Sequence, residues 1–153
     1  MLVIHIDASY DPKTKEAGLA FHIQAGAESI SRKYYLAQIA DNHVAEFQTL
    51  ILLLDYLKEI QTDPNQLIQI KSDSKILVAS IAKRYVKSPQ YQPYFNIILQ
   101  EMTAYPLLFV DWVAEKFNRG ADQLAKQALR QQGKVIQLNE ETLLHKWKKP
   151  IQH

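Results

Sequence analysis

The 153-residue chain contains no cysteine, which excludes a disulfide framework, a thiolate metal site and a cysteine nucleophile. It has no apolar run near the ~18 residues that a membrane-spanning helix requires. Its opening, Met1-Leu2-Val3-Ile4-His5, carries no basic segment of the kind that begins a secretory signal. A soluble, cytoplasmic protein without membrane contact is the expectation. Charge of one sign is also scarce, with 18 Lys and Arg against 16 Asp and Glu for a net +2. What is present in quantity is apolar: 47% of residues are hydrophobic and 22% charged. That balance supports one folded domain of ordinary size and excludes wholesale disorder or a second full domain. The charge is unevenly spread, since residues 1–70 carry −4 and residues 71–153 carry +6. An anionic partner for the second half follows from that asymmetry.

Periodicity divides the chain. Leu2 to Ser9, Ala17 to Ala25 and Ser29 to Leu36 have strand length and composition, with turn residues at Asp11-Pro12 and around Gly26. Three short consecutive strands predict an antiparallel meander. From His43 to Gln61 the apolar spacing becomes helical, through Phe47, Leu50, Ile51, Leu54 and Leu57, with Asp41 or Asn42 as the cap and Asp63-Pro64-Asn65 as the stop. Leu67 to Ser72 reads as a fourth strand, Ser74 to Arg84 and Tyr91 to Thr103 as helices, and Leu107 to Val113 as a fifth strand. Asn118 to Gln132 reads as a last core helix closed by Gly133 in a left-handed cap. Strands joined through helices run parallel, so the prediction is an α/β fold: a mixed five-stranded sheet, three strands antiparallel and two parallel, flanked by helices. Residues 1–133 form the domain. Residues 134–153 form a basic extension packed on it, with a further helix begun by Asn139 and with His145-Lys146-Trp147-Lys148-Lys149 either packed or bound to nucleic acid.

Four acids fall where the pattern sets them against apolar neighbours, a costly place for a charge. Asp7 lies in the most strand-like run, and Glu46 shares a helical arc with Leu50, Leu53 and Leu57. Asp73 ends the fourth strand, and Asp122 sits beside Ala125 and Leu129. A single such carboxylate has ordinary explanations, namely a cap, an ion pair or a misjudged register. Four from different elements can meet at the edge where parallel strands end. Clustered carboxylates repel unless cations neutralise them, and an all-oxygen set suits Mg²⁺ or Mn²⁺ rather than Zn²⁺. Two such ions can activate water and stabilise the leaving oxygen of a phosphodiester.

In order along the chain, Asp7-Ala8-Ser9, Asn42-His43-Val44-Ala45-Glu46-Phe47, Ser72-Asp73-Ser74 and Asn118-Arg119-Gly120-Ala121-Asp122-Gln123-Leu124-Ala125 resemble type 1 ribonuclease H. The likeness covers Leu2 to about Gln132. It implies a ribonuclease H-like fold in which Asp7, Glu46, Asp73 and Asp122 are the catalytic, metal-binding carboxylates for two Mg²⁺ or Mn²⁺ ions. It implies an endoribonuclease that hydrolyses the RNA strand of RNA–DNA hybrids, leaving 3′-hydroxyl and 5′-phosphate ends. The alternative is a module of the same fold that binds hybrid or double-stranded RNA without cutting. Substrate contacts are expected from Asn42, whose amide both donates and accepts near a 2′-hydroxyl, from Ser74 and Lys75, and from Lys83, Arg84 and Lys87 as phosphate contacts. A monomer is expected, with no separate hybrid-binding domain before Met1.

The sequence departs from the family in instructive ways. Val113-Ala114-Glu115-Lys116-Phe117-Asn118 has no His and resembles the short-loop branch, which leaves protonation of the departing oxygen unassigned; Glu115 and Lys116 are candidates set against a solvated loop. Lys75 stands where many members have Gln, and Tyr10 to Glu16 replaces a glycine-rich turn. The five His residues share no metal-ligand spacing. His5 is expected in the core or beside the acids, Trp112 in the core, and Asp111 in water on an edge strand.

Overall fold

In the computed structural model, which describes residues 1–138, the first part of the chain folds into the meander that its strand-length stretches and turn residues predict. Strands β1 (Leu2–Asp11), β2 (Glu16–Ala25) and β3 (Glu28–Leu36) pair antiparallel in sequence. Lys15, at φ 60°, closes the first turn by donating its amide to the Asp11 carbonyl, and Gly26, at φ 61°, takes the second. Helix α1 (Asn42–Glu59) begins where Asp41 accepts the Val44 amide at 2.8 Å, so the cap is Asp41, leaving the Asn42 amide clear of it. It is apolar nearly all round because it is covered nearly all round, by the sheet on one side and α3 on another.

The rest alternates strand and helix: β4 (Ile68–Ser72), α2 (Lys75–Lys83), α3 (Gln92–Met102), β5 (Leu108–Trp112), a 3₁₀ turn (Glu115–Phe117) and α4 (Arg119–Gln131). β4 lies parallel to β1 and β5 parallel to β4. The sheet has six strands rather than five, in the order β5-β4-β1-β2-β3-β6, because Ile136–Leu138 forms β6, parallel to β3. Three residues are too few to display a period of two. The extension after residue 133 therefore leaves a 3₁₀ turn (Gln132–Lys134) and supplies a sheet strand. Gln132, at φ 32°, rather than Gly133, ends the last helix. The expected helix at Asn139 and the segment His145 to Lys149 lie outside the described residues. Among those described, no helix is long and apolar enough to cross a membrane.

The sheet's two faces differ. Ile4, Ile6, Leu19, Phe21 and Leu36 join Phe47, Leu50, Leu54 and Phe95 in one core under α1 and α3, and the Phe21 ring meets Tyr56 of α1 at 5.3 Å. The opposite face is reached by α4 through its buried alanines, Ala121, Ala125 and Ala128. This packing leaves no room at Gly18, where a Cβ would stand 2.0 Å from the Ala125 carbonyl oxygen and 2.5 Å from the Leu129 nitrogen. Close approach, not backbone conformation, makes glycine necessary there. Gly18→Ala must push α4 off the sheet, and overpacking of this kind costs roughly 1–3 kcal/mol. Urea unfolding should show that loss, and a wild-type midpoint would contradict the packing.

Candidate active site

The register of the central strands sets the site. Ile4 pairs with Ile70 and His5 with Lys71, so continuing it places Asp7 opposite Asp73, just beyond the last paired residues. The strands part there because the Asn118 side-chain amide donates to the Ile6 carbonyl at 2.8 Å, occupying an oxygen that a longer ladder would have used. Asn118 immediately precedes α4 and stands beside Asp73, whose charged form it favours. Into the opening α1 brings Glu46 and the first turn of α4 brings Asp122. The result is a cleft of about 380 Å³ lined by Asp7, Ala8, Glu46, Asp73, Trp112, Glu115 and Asp122. All four acids singled out in the sequence line that one cleft.

Electrostatics show what the gathering costs. Asp7 is pushed up to about 8, first by burial and then by the charge of Asp73, with Asp122 adding to it, against a stabilising bond from the Ala8 amide. Burial likewise raises Asp73, with Glu115 and Asp122 contributing, while the Asn118 hydrogen bond opposes the rise. The other two acids have partners. Glu46 accepts from the Ser74 hydroxyl at 2.5 Å and lies 3.3 Å from the His43 ring nitrogen, and Asp122 pairs with Lys126 at 3.0 Å.

A self-repelling, all-oxygen set of this kind suits a hard divalent cation. Asn118 adds a buried amide oxygen that has no hydrogen-bond partner. Asp7, Glu46, Asp73 and Asp122 are the residues that would hold such ions. As arranged here, no three His, Asp or Glu side chains among the described residues stand ready around one point. Glu46 and Asp122 are turned to Ser74, His43 and Lys126 instead.

The remaining sequence candidates separate clearly. Asn42 is exposed in the first turn of α1. Ser74, expected among the substrate contacts, is buried and fully engaged, donating to Glu46 while capping α2 through the Leu77 amide. Its geometry makes it a support for Glu46, not a group free to meet substrate. Lys75 follows it, its ammonium 5.5 Å from the centre of the Trp112 ring. Lys83, Arg84 and Lys87 lie away from the cleft, at the end of α2 and in the loop after it; Lys83 and Lys87 line a separate cavity of about 360 Å³ with Ile76, Tyr85, Val86 and Tyr91.

Trp112 is a correction. Instead of joining the core it is 46% exposed, and its indole N–H donates to the Asp73 carbonyl at 3.2 Å. Its position in the strand alternation matches Leu108 and Val110, but β5 is the edge strand and Trp112 is its last residue, beyond the cover that buries the others. His5 pairs in register with His22 beside Lys71, apart from the carboxylate cleft. Asp111 is exposed on the edge, as expected.

The fold has counterparts among known proteins. The profile of a family described as reverse transcriptase-like matches residues 6–128. A protein of Enterococcus faecalis, EbsB, provisionally named a hydrolase, is 37% identical over 131 residues, covering 85% of this chain and 95% of its own. Among solved structures, LC11 ribonuclease H1 from compost, in complex with an RNA/DNA hybrid, superposes with a TM-score of 0.78 at 21% identity, over 86% of this chain and 99% of that one. Ribonuclease H1 of the archaeon Halobacterium salinarum gives 0.75 at 17% identity, over 85% and 98%. The fold is thus the ribonuclease H fold.

The elevated Asp7 has a consequence for stability. A carboxyl that titrates higher folded than unfolded favours the folded state at low pH, and that advantage is lost as pH rises from its ordinary 3.8 through about 8. In chelator, the melting temperature should fall between pH 5 and pH 8. Asp7→Asn should flatten that decline, and Mn²⁺ should raise the wild-type value most at the alkaline end. A pH-independent melting temperature in chelator would contradict the electrostatics.

Proposed function

The chain belongs to the reverse transcriptase-like family, and from that premise we propose that it is an endoribonuclease hydrolysing the RNA strand of RNA–DNA hybrids with two divalent cations. The products are 3′-hydroxyl and 5′-phosphate ends. One observation carries the reading: Asp7, Glu46, Asp73 and Asp122, from four elements of a ribonuclease H fold, line a single cleft. The provisional hydrolase name of EbsB supports a hydrolytic activity, and the hybrid bound by LC11 ribonuclease H1 supports the choice of substrate.

Mg²⁺ or Mn²⁺ held by the four carboxylates supplies Lewis acidity toward an attacking water and toward the leaving oxygen of the phosphodiester. The chain's own groups do the rest. Ser74 and His43 both hold the Glu46 carboxylate through its Oε2, and Asn118 favours the charged form of Asp73. The Asn42 amide, freed from capping by Asp41, is available to a ribose 2′-hydroxyl in the wide minor groove of an A-like duplex. Lys75, Lys83, Arg84 and Lys87 meet phosphates, giving affinity with little base readout. With four acids committed to cations, 18 basic residues stand against 12 remaining acids, so the protein is more basic toward nucleic acid than its net charge implies. We place it among the short-loop members, as a cytoplasmic monomer.

A second reading, a module that holds hybrid or double-stranded RNA uncut, draws on the internal partners of Glu46 and Asp122. Cleavage separates the two. Purified protein with Mn²⁺ should cut the RNA of a labelled hybrid, and Asp73→Asn should lose cleavage by at least about a hundredfold while retaining hybrid binding that weakens steeply with salt. An intact hybrid beside a working control enzyme would refute the activity, and a fully active Asp73→Asn would refute the site.

A further inference from the structure

The cleft has one wall that the hydrolytic reading does not use. Trp112 lines the same cleft as the carboxylates and is 46% exposed, although a large aromatic side chain is costly to leave in water. Its orientation is set from two directions, by the N–H bond to the Asp73 carbonyl and by the Lys75 ammonium near its ring. Phe117 follows in the 3₁₀ turn that leads from β5 to α4, 65% exposed, with Lys116 5.1 Å from its ring centre. Two exposed rings, each accompanied by a lysine, occupy a six-residue stretch bordering the cleft.

This pairing of aromatic faces with cations is the chemistry that holds single-stranded nucleic acid: bases stack on rings while lysines meet the phosphates. A duplex cannot use such a surface along its length, because its bases are already stacked on each other. Only an unpaired nucleotide, at an end or a junction, has a face to offer. On the proposed function the strand cut at the carboxylates is the RNA strand, and Trp112 lines the cleft in which that cut would take place.

We propose that Trp112, with Phe117, binds an unpaired nucleotide of the RNA strand beside the hybrid, making junctions between hybrid and single-stranded RNA the preferred substrate. The proposal rests on the hybrid-cleaving reading and adds a specificity to it. Trp112 and Phe117 carry the recognition, and Lys75 and Lys116 meet the flanking phosphates. The carboxylates and their chemistry are unchanged.

The test compares one hybrid in four forms: blunt, with an unpaired RNA tail at the 5′ or the 3′ end of the RNA strand, and with a DNA tail on the DNA strand. For the wild-type protein, kcat/KM should be about fivefold or more higher with one RNA tail than with blunt hybrid, through a lower KM. Trp112→Leu and Phe117→Ala should each bring that ratio toward one, and Trp112→Phe, which keeps an aromatic face, should retain most of it. Binding is read separately in a Trp147→Phe background, where a single-stranded RNA oligonucleotide should quench Trp112 fluorescence.

A ratio of one in the wild type, or a ratio unaffected by both Trp112→Leu and Phe117→Ala, overturns the proposal. Equal stimulation by the DNA tail assigns the wall to unpaired nucleotides in general and overturns the RNA-strand assignment. A protein that cuts no hybrid overturns the function on which the inference rests. The stacking is then judged by quenching alone, and absence of quenching defeats it independently.

Discussion

Mutual repulsion among Asp7, Asp73 and Asp122 in a half-dry cleft is the constraint on which the rest of the molecule depends. Left to themselves, carboxylates would separate or turn outward into water. Here a strand, a strand end and a helix hold them together, and Asp7 responds by retaining a proton up to about pH 8. The folded chain thus stores an unfavourable arrangement that bound cations would relieve. Function and marginal local stability share one cause.

The scaffold enforces that arrangement through a few contacts. Gly18 lets α4 approach the sheet closely enough to deliver Asp122, and Asn118 at the start of that helix both separates β1 from β4 and steadies Asp73. Asp41 starts α1 at the residue that brings Glu46 inward, and the Tyr91 hydroxyl holds Asp41 in turn at 2.7 Å. Ser74 joins two helices' roles in one hydroxyl, fixing Glu46 and capping α2. Glu46 and Asp122 each have a partner outside the group of acids, whereas Asp7 interacts directly with Asp73 and Asp122.

Much of this was legible in the sequence because it follows from local rules. Strand-length apolar stretches between turn residues marked the meander, helical spacing marked α1, and the four acids were conspicuous as charges among apolar neighbours. What escaped depends on neighbours far along the chain. β6 is three residues long and exists because β3 offers an open edge. Trp112 has the alternation of a core residue but stands where the cover ends. Ser74 reads as a substrate contact at the start of a helix, and nothing local reveals that its hydroxyl donates to Glu46, 28 residues earlier. Gly18 looks like any strand glycine until α4 is laid across it.

The central claim is that the four carboxylates form one cation site whose charge is compensated by a proton when cations are absent. Calorimetric titration of Mn²⁺ into the metal-free protein at pH 7, repeated in buffers of different ionisation enthalpy, tests it directly. The account predicts saturable binding with close to one proton released per protein, a release that disappears in Asp7→Asn. Binding without proton release, or no saturable binding at all, would contradict it.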